Sequence, residues 1–193
     1  MRHIIHAAAL LLSFVPLSAG AVDSGPYMGL GVASGSLNAC PVGNCVEFTE
    51  NAQESGHVRL IGGYDFNRFI GVEGGYSDFG SYKVKNIAQQ IVGTVKGNSF
   101  SLAARGGYKF TFGLSLFAKL GLASVSTKYT ADPGWVLPGE ANRRSTGALF
   151  GIGAQYDFND HLGIRLSSEA TGFDDGAYTG AFGGANLVGI FRF

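Results

Sequence analysis

Two alternating runs separated by only three residues constrain this chain more than anything else in it. They lie in Gly62–Gly80, GGYDFNRFIGVEGGYSDFG, and meet at Asn67-Arg68-Phe69. Up to the turn the even positions Leu60, Tyr64 and Phe66 are apolar, while the odd set includes Arg59 and Asp65. Past it, Ile70, Val72 and Tyr76 are apolar and the odd set carries Glu73 and Ser77. A period of two is the mark of a strand with two unlike faces. Both runs share one apolar face, with aromatics close to the turn, and the other face combines glycine with charge. That is a hairpin of a barrel with an apolar outside and a polar inside.

The unit recurs. GGYDF at Gly62–Phe66 is echoed by GGYKF at Gly106–Phe110 and AQYDF at Ala154–Phe158, each followed by a short link and another alternating run. Tyr64, Tyr108 and Tyr156 fall roughly 45 residues apart, a hairpin-plus-loop spacing rather than a solenoid repeat. Alternating runs of about nine to eleven residues, the length of a tilted membrane strand, fit eight times. They centre on about 26–34, the two runs of the opening hairpin, 98–110, 114–124, 146–158, 162–171 and 184–193. The connections alternate in length. Three are tight turns near Asn67, Phe112 and Asp160; four, at about 35–56, 81–97, 126–145 and 172–183, are long and polar or rich in Gly and Pro. Short periplasmic turns with long outer loops are the pattern of outer-membrane barrels. The expected fold is therefore all-β: a transmembrane, eight-stranded, antiparallel up-and-down β-barrel with four long extracellular loops. A soluble lipocalin-type barrel would need the opposite polarity, apolar inside and polar outside.

Parity sharpens the expectation. If even positions face lipid on both sides of each short turn, each turn holds an odd number of residues. Three-residue turns pair Phe66 with Ile70, Phe110 with Leu114 and Phe158 with Leu162, lining the periplasmic rim with an interfacial girdle. The same register turns Arg59, Glu73, Arg105, Lys119, Arg165 and Glu169 inward, near Gln155 and Asp157. Charges in a narrow lumen are costly unless paired, so an interior ionic network is expected.

The N-terminus fits the same destination. Met1–Ala21 reads as a cleaved export signal: a short positive start at Arg2, an apolar run from Ile4, and Ala19-Gly20-Ala21 as a small-x-small cleavage pattern. Residues 22–193 are then one barrel domain. The mean hydropathy of +0.16 is too low for a helical membrane protein and suits strands of which every second residue meets lipid. Lys+Arg and Asp+Glu balance at 14 each, which gives no electrostatic case for nucleic acid. Cys40 and Cys45, in CPVGNC, are expected to close a small disulfide loop in an oxidising compartment. A redox pair favours two intervening residues, and a zinc site would need further ligands nearby.

The residues also resemble a family. GYDF–turn–IGVEGGYSDFG, LFAKLGLA at Leu116–Ala123 and GIGAQYDF–turn–LGIRLSSE are similar to the OmpA-like eight-stranded outer-membrane barrels, including the small OmpX-type members. The likeness covers nearly all of residues 22–193. It implies that Glu73, Lys119 and Arg165 contribute to an interior polar network. It also implies that the terminal LVGIFRF, with Phe191 and Phe193, is the signal read by the barrel-assembly machinery. Gly189 falls one place later than the family's usual glycine, which blurs the parity of the last strand. The peptidoglycan-binding domain of full-length OmpA-type proteins has no counterpart in these residues, and its function is not carried over.

The resemblance implies a monomeric, non-enzymatic outer-membrane protein of a Gram-negative bacterium, with a structural or surface role in adhesion or membrane integrity. Expected partners are outer-membrane lipid, lipopolysaccharide and surface or host ligands met by the loops; no cofactor is expected. Trp135, with Tyr129 and Pro133, is either a loop contact or an interfacial aromatic. Arg143-Arg144 is either a contact for anionic lipopolysaccharide or a solvated pair. Asp174-Asp175 lacks the further oxygen ligands of a calcium loop. The alternative function is a narrow channel that weakly favours anions. A lipid-modifying enzyme is the remaining reading, but beyond the leader only His57 and His161 could serve as a base. His161 lies in a periplasmic turn without an adjacent serine, and His57 lies near the outer end of its strand, within reach of Ser99, Ser77 or Asp78 across the barrel, residues that a polar barrel mouth needs anyway.

Overall fold

A computed structural model of the chain describes residues 24–34, 36–41, 57–85, 91–110, 112–131, 133, 142–174 and 178–193. The expected export signal, Cys45, Trp135 and Asp175 lie outside them, so the disulfide and the Trp135 contact do too.

The strands are β1 (Gly25–Ala33), β2 (Ser36–Pro41), β3 (His57–Asp65), β4 (Ile70–Lys85), β5 (Ile91–Lys109), β6 (Leu114–Ala131), β7 (Asn142–Asp157), β8 (Leu162–Asp174) and β9 (Tyr178–Arg192). Each of β3 to β8 pairs antiparallel with its successor, β1 pairs with β3, and β1 also pairs with β9, closing the cylinder. The segment β2 runs along β9 beyond β1, Ser36 opposite Gly183 and Pro41 opposite Tyr178. Thus β1 and β2 occupy one position, and the barrel has eight. Closure leaves no unpaired edge in the hydrocarbon, the condition a spanning sheet must meet.

Several expected loops begin as strand. The first strand resumes as β2 within 35–56, β4 and β5 extend through most of 81–97, β6 and β7 enter 126–145 from both ends, and β8 and β9 enter 172–183. The extra pairing lacks the apolar/polar alternation of the membrane section. Past the hydrocarbon the outer face meets water, so backbone hydrogen bonding continues without an apolar outward row to reveal it.

The two faces are inverted relative to a soluble barrel. Leu120 is 67 % exposed and its neighbour Lys119 is 2 % exposed; Leu166 and Arg165 repeat this at 58 % and 1 %. Even positions face outward along β1 and β3 to β8, except in β4 beyond Gly80, where a register shift turns Ser81 outward. In β9 the parity flips: Leu187 and Phe191 are exposed, and Val188 and Ile190 are buried. The cause lies in the connection. Asp174 pairs with Thr179 across an even number of residues, so an even position meets an odd one. Because of that inversion the lumen is not polar all round: Val188 and Ile190 pack with Tyr27 and Ile61 beside the β1–β9 closure.

The short turns have the predicted pairing. The Phe66 amide donates to the Ile70 carbonyl at 3.0 Å, Phe110 to Leu114 at 2.7 Å and Phe158 to Leu162 at 2.8 Å. In two turns an asparagine holds the bend: Asn67 Oδ1 accepts from the Phe69 and Ile70 amides, and Asn159 Oδ1 from those of His161 and Leu162, at 2.9 and 2.8 Å. The third uses Gly113 at φ 87°, open to glycine at little cost. Asn159→Ala is expected to lower stability by about 1 kcal/mol, since the orphaned amides can turn to water; the urea midpoint for unfolding from vesicles checks it. At the same rim each of the three echoed motifs pairs its own two rings, Tyr64–Phe66 at 5.5 Å, Tyr108–Phe110 at 5.0 Å and Tyr156–Phe158 at 5.4 Å.

Candidate functional site

The alternation that turns leucines to lipid turns acids and bases into a lumen about wide enough for side chains alone. At its centre is Glu73 of β4, 3 % exposed. Its Oε1 lies 2.7 Å from Lys119 Nζ, and its Oε2 accepts from Arg165 Nη1 and, at 2.8 Å, from the Tyr27 hydroxyl. Lys119 also pairs with Glu169 Oε1, and Glu169 Oε2 lies 2.5 Å from Arg59 Nη2. Arg59 donates onward to Ser77 Oγ. In the other direction Arg165 Nε donates to Gln155 Oε1 at 2.9 Å, and Gln155 Nε2 to Asp157 Oδ1 at 2.6 Å. The groups come from β1, β3, β4, β6, β7 and β8, so the network ties together walls that share no backbone pairing.

Arg105 joins a second group, which meets the first at Asp157. The Arg105 backbone lies opposite Lys119, but two like charges side by side repel, and each side chain goes to its own acid. Arg105 pairs with Asp65, which also holds Arg192 Nη1 at 2.8 Å; Lys109 lies 3.3 Å from Asp157. This group closes the periplasmic end. Between the two groups stand the rings of Tyr27 and Phe117, with the Arg165 guanidinium 5.1 and 5.0 Å from their centroids and Arg105 5.5 Å from each. Such cation–π contacts stabilise charge where water is scarce. Asp65, Arg192, Lys109, Tyr27 and Ser77 were not among the expected network residues. Asp65 was visible in the odd set of its hairpin, whereas the parity flip of β9 conceals Arg192.

A second layer lies toward the long hairpins. Phe182 stacks on Phe79 with ring centroids 4.6 Å apart, and Phe173 lies 5.1 Å from Phe182. Phe173 and Phe182 are inward residues of β8 and β9. Phe79 faces inward by the alternation of β4 and sits at a bulge: the β4–β5 register shifts between Asp78 and Gly80, where Gly80 has φ 69° and its amide donates to Asp78 Oδ1 at 2.8 Å. A small void lined by His57, Arg59, Phe79, Glu169 and Phe182 shows the aromatic layer seated on the ionic one.

The remaining expected residues are scattered. Arg143 and Arg144 lie on β7 rather than in a loop, which corrects their assignment: alternation sends Arg144 outward and leaves Arg143 half-buried on the inner face. Phe191 faces outward with its ring 5.0 Å from that of Phe193. The backbone of Cys40 is opposite Thr179 in β2. His57 is buried on the lumen side, and His161 is exposed in the last turn, its Nδ1 3.2 Å from the Arg192 carbonyl oxygen.

An apolar belt around a closed antiparallel cylinder with a charge-filled lumen defines a small membrane-spanning β-barrel. The chain belongs to the family described as "Outer membrane protein beta-barrel domain", whose model it matches over residues 7–188, and it is a bacterial outer-membrane protein. It is 33% identical over 116 residues to Outer membrane protein P5 of Haemophilus influenzae, covering 55% of this chain and 32% of that one. The chain thus spans about a third of that curated relative's length. Among solved structures it superposes on Neisserial surface protein A with a TM-score of 0.64 at 14% identity, covering 88% of this chain and 98% of that one. Ail of Yersinia pestis gives 0.56 at 19% identity over 89% and 99%. OprG of Pseudomonas aeruginosa gives 0.63 at 13% over 89% and 97%. At these identities the likeness is one of fold.

Proposed function

We propose that this barrel is a non-enzymatic structural protein that carries long hairpins to the cell surface, where they serve adhesion or membrane integrity. The observation that carries this reading is the doubly filled lumen, ionic at its centre and aromatic toward the long hairpins. Rigid walls and a blocked interior leave the outer ends of β4 to β9, with their connections, as the surface able to meet lipid, lipopolysaccharide or a host ligand. The terminal Phe191 and Phe193 are the residues the assembly machinery would read, and the protein acts as a monomer.

Two observations weigh against the other readings. A channel that favours anions needs a path past Glu73 and Phe182, and both are buried against partners on other strands. Of the two candidate bases for an enzyme acting on lipid, His57 is buried on the lumen side, and His161 sits in the last turn with its Nδ1 3.2 Å from the Arg192 carbonyl oxygen. Ion flux from proteoliposomes tests the proposal. Leakage of chloride and of small sugars is expected to equal that of protein-free vesicles; flux that rises with protein density and discriminates between anions would sink it.

A further inference from the structure

The outer wall of β4 to β7 changes chemistry in steps, and the strand register lays the steps out as rows. Gly74, Leu102, Leu122 and Ala148 are neighbours across the four strands, and Leu102 and Leu122 are among the most exposed apolar residues of the belt. One row further out, Tyr76, Phe100, Ser124 and Thr146 lie side by side, with the two rings 4.9 Å apart. Aromatics and hydroxyls together mark the level where hydrocarbon gives way to headgroups. The next row is Asp78, Asn98, Ser126 and Arg144, and the one beyond it is Ser81, Lys96, Lys128 and Asn142. Each row is one pleat repeat, about 7 Å along the strand.

Two cations in the outermost row are direct neighbours. Lys96 and Lys128 are register partners on the same face, both exposed, and neither forms an ion pair among the described residues. Like charges placed opposite each other on a sheet are destabilising. Arg144, one row lower on the adjoining strand, adds a third, its Nε 3.4 Å from Ser126 Oγ. Asp78 is the only carboxylate in the two rows. The groove that these residues help to line has a volume of about 720 Å³. In the lumen Arg59, Arg105, Lys119, Arg165 and Arg192 each meet an acid. Among the described residues Lys96, Lys128 and Arg144 form no ion pair, and they stand directly above a lipid-facing belt.

We infer that this groove on the outer wall of β4–β7 binds the phosphate groups of a membrane glycolipid, with Lys96, Lys128 and Arg144 as the cationic contacts. The lysines hold phosphate as point charges, Arg144 adds a forked donor, and Asn98, Asn142 and Ser126 offer hydrogen bonds to sugar hydroxyls. The acyl chains of the same molecule lie against Phe100, Leu102 and Leu122. Continuity with the belt selects a lipid over a soluble anion, because a free ligand would gain nothing from those rows. The inference rests on the long hairpins being at the cell surface as proposed above. Labelling of Ser81→Cys on intact cells tests that orientation separately.

The test titrates refolded protein in mild detergent with a bisphosphorylated glucosamine-disaccharide glycolipid, its dephosphorylated counterpart and the acyl-free bisphosphorylated disaccharide. Bound molecules are counted by native mass spectrometry. Each cation near a headgroup contributes about a factor of five, so the triple variant Lys96→Gln/Lys128→Gln/Arg144→Gln is expected to bind the glycolipid roughly 100-fold more weakly. Arg68→Gln, at the opposite rim, is expected to leave binding unchanged. Asp78→Asn keeps the side-chain oxygen that the Gly80 amide needs and removes the one negative charge. Binding roughly fivefold tighter is expected there, a gain that misfolding does not produce. Wild-type affinity in the triple variant, or equal binding of the dephosphorylated lipid, would overturn the site. Equally tight binding of the acyl-free disaccharide would overturn its assignment to a lipid.

Discussion

Glu73→Ala is expected to destabilise the barrel by about 3–5 kcal/mol, the cost of leaving buried charges without their partner. Glu73 is the one acid that meets Lys119, Arg165 and Tyr27 together. Its removal strands Arg165, 1 % exposed, with Gln155 and two aromatic rings, and leaves Lys119 sharing Glu169 with Arg59. Urea unfolding from vesicles, read by tryptophan-independent far-UV dichroism, measures the loss. The penalty comes from broken pairing rather than from the worth of the pair itself. Replacing Glu73, Lys119 and Arg165 together by Leu, Met and Met is therefore expected to recover much of it. A triple variant weaker than the single one would mean that the ion pairs contribute net stability.

Gly31→Val is expected to cost about 3 kcal/mol or more, or to prevent closure altogether. Gly31 lies opposite Val188 at the pairing of the first strand with the last. A Cβ there would sit 2.0 Å from the Leu187 carbonyl oxygen and 2.6 Å from Val188 Cα. Those are backbone atoms of the neighbouring strand, and they cannot move aside as a side chain would. The obstruction falls on the one pairing that joins the two ends of the sheet. Gly106→Val is the control: a Cβ at Gly106 meets nothing within 4 Å, so ordinary folding yield is expected. The fraction refolded into vesicles, scored by protease resistance, separates the two. Equal yields would mean that the β1–β9 pairing is looser than described.

Period-two alternation, three echoed Tyr-x-Phe motifs and the sorting of loop lengths together specify an inside-out barrel, and the parity of the short turns specifies their size. Those signals are local, and they persist wherever a strand has lipid on one side. They stop where lipid stops: the outer parts of β4 to β7 carry no alternating contrast, and their extension into the expected loops had no signature. Parity also fails across a long connection, because nothing in the sequence counts its residues for us. Val188, Ile190 and Arg192 therefore could not be assigned to the lumen, nor Phe182 to an aromatic layer. A single bulge beside Gly80 was enough to reverse the parity of β4 and turn the odd-numbered Ser81 outward. The pairing of acids with bases lies further still from the sequence. Arg105 and Lys119 stand opposite each other in register, yet strand tilt and mutual repulsion send them to different partners.

The central claim is that two layers in series close the lumen, and single-channel current across a planar bilayer tests it most directly. Four proteins are compared: the wild type, Glu73→Ala, Phe182→Ala and the double variant. The wild type and each single variant are expected to be silent, because the remaining layer still fills the lumen, and only the double variant is expected to show discrete steps. Steps in the wild type, or full conductance in Glu73→Ala alone, would contradict the account and make the ionic network a gate.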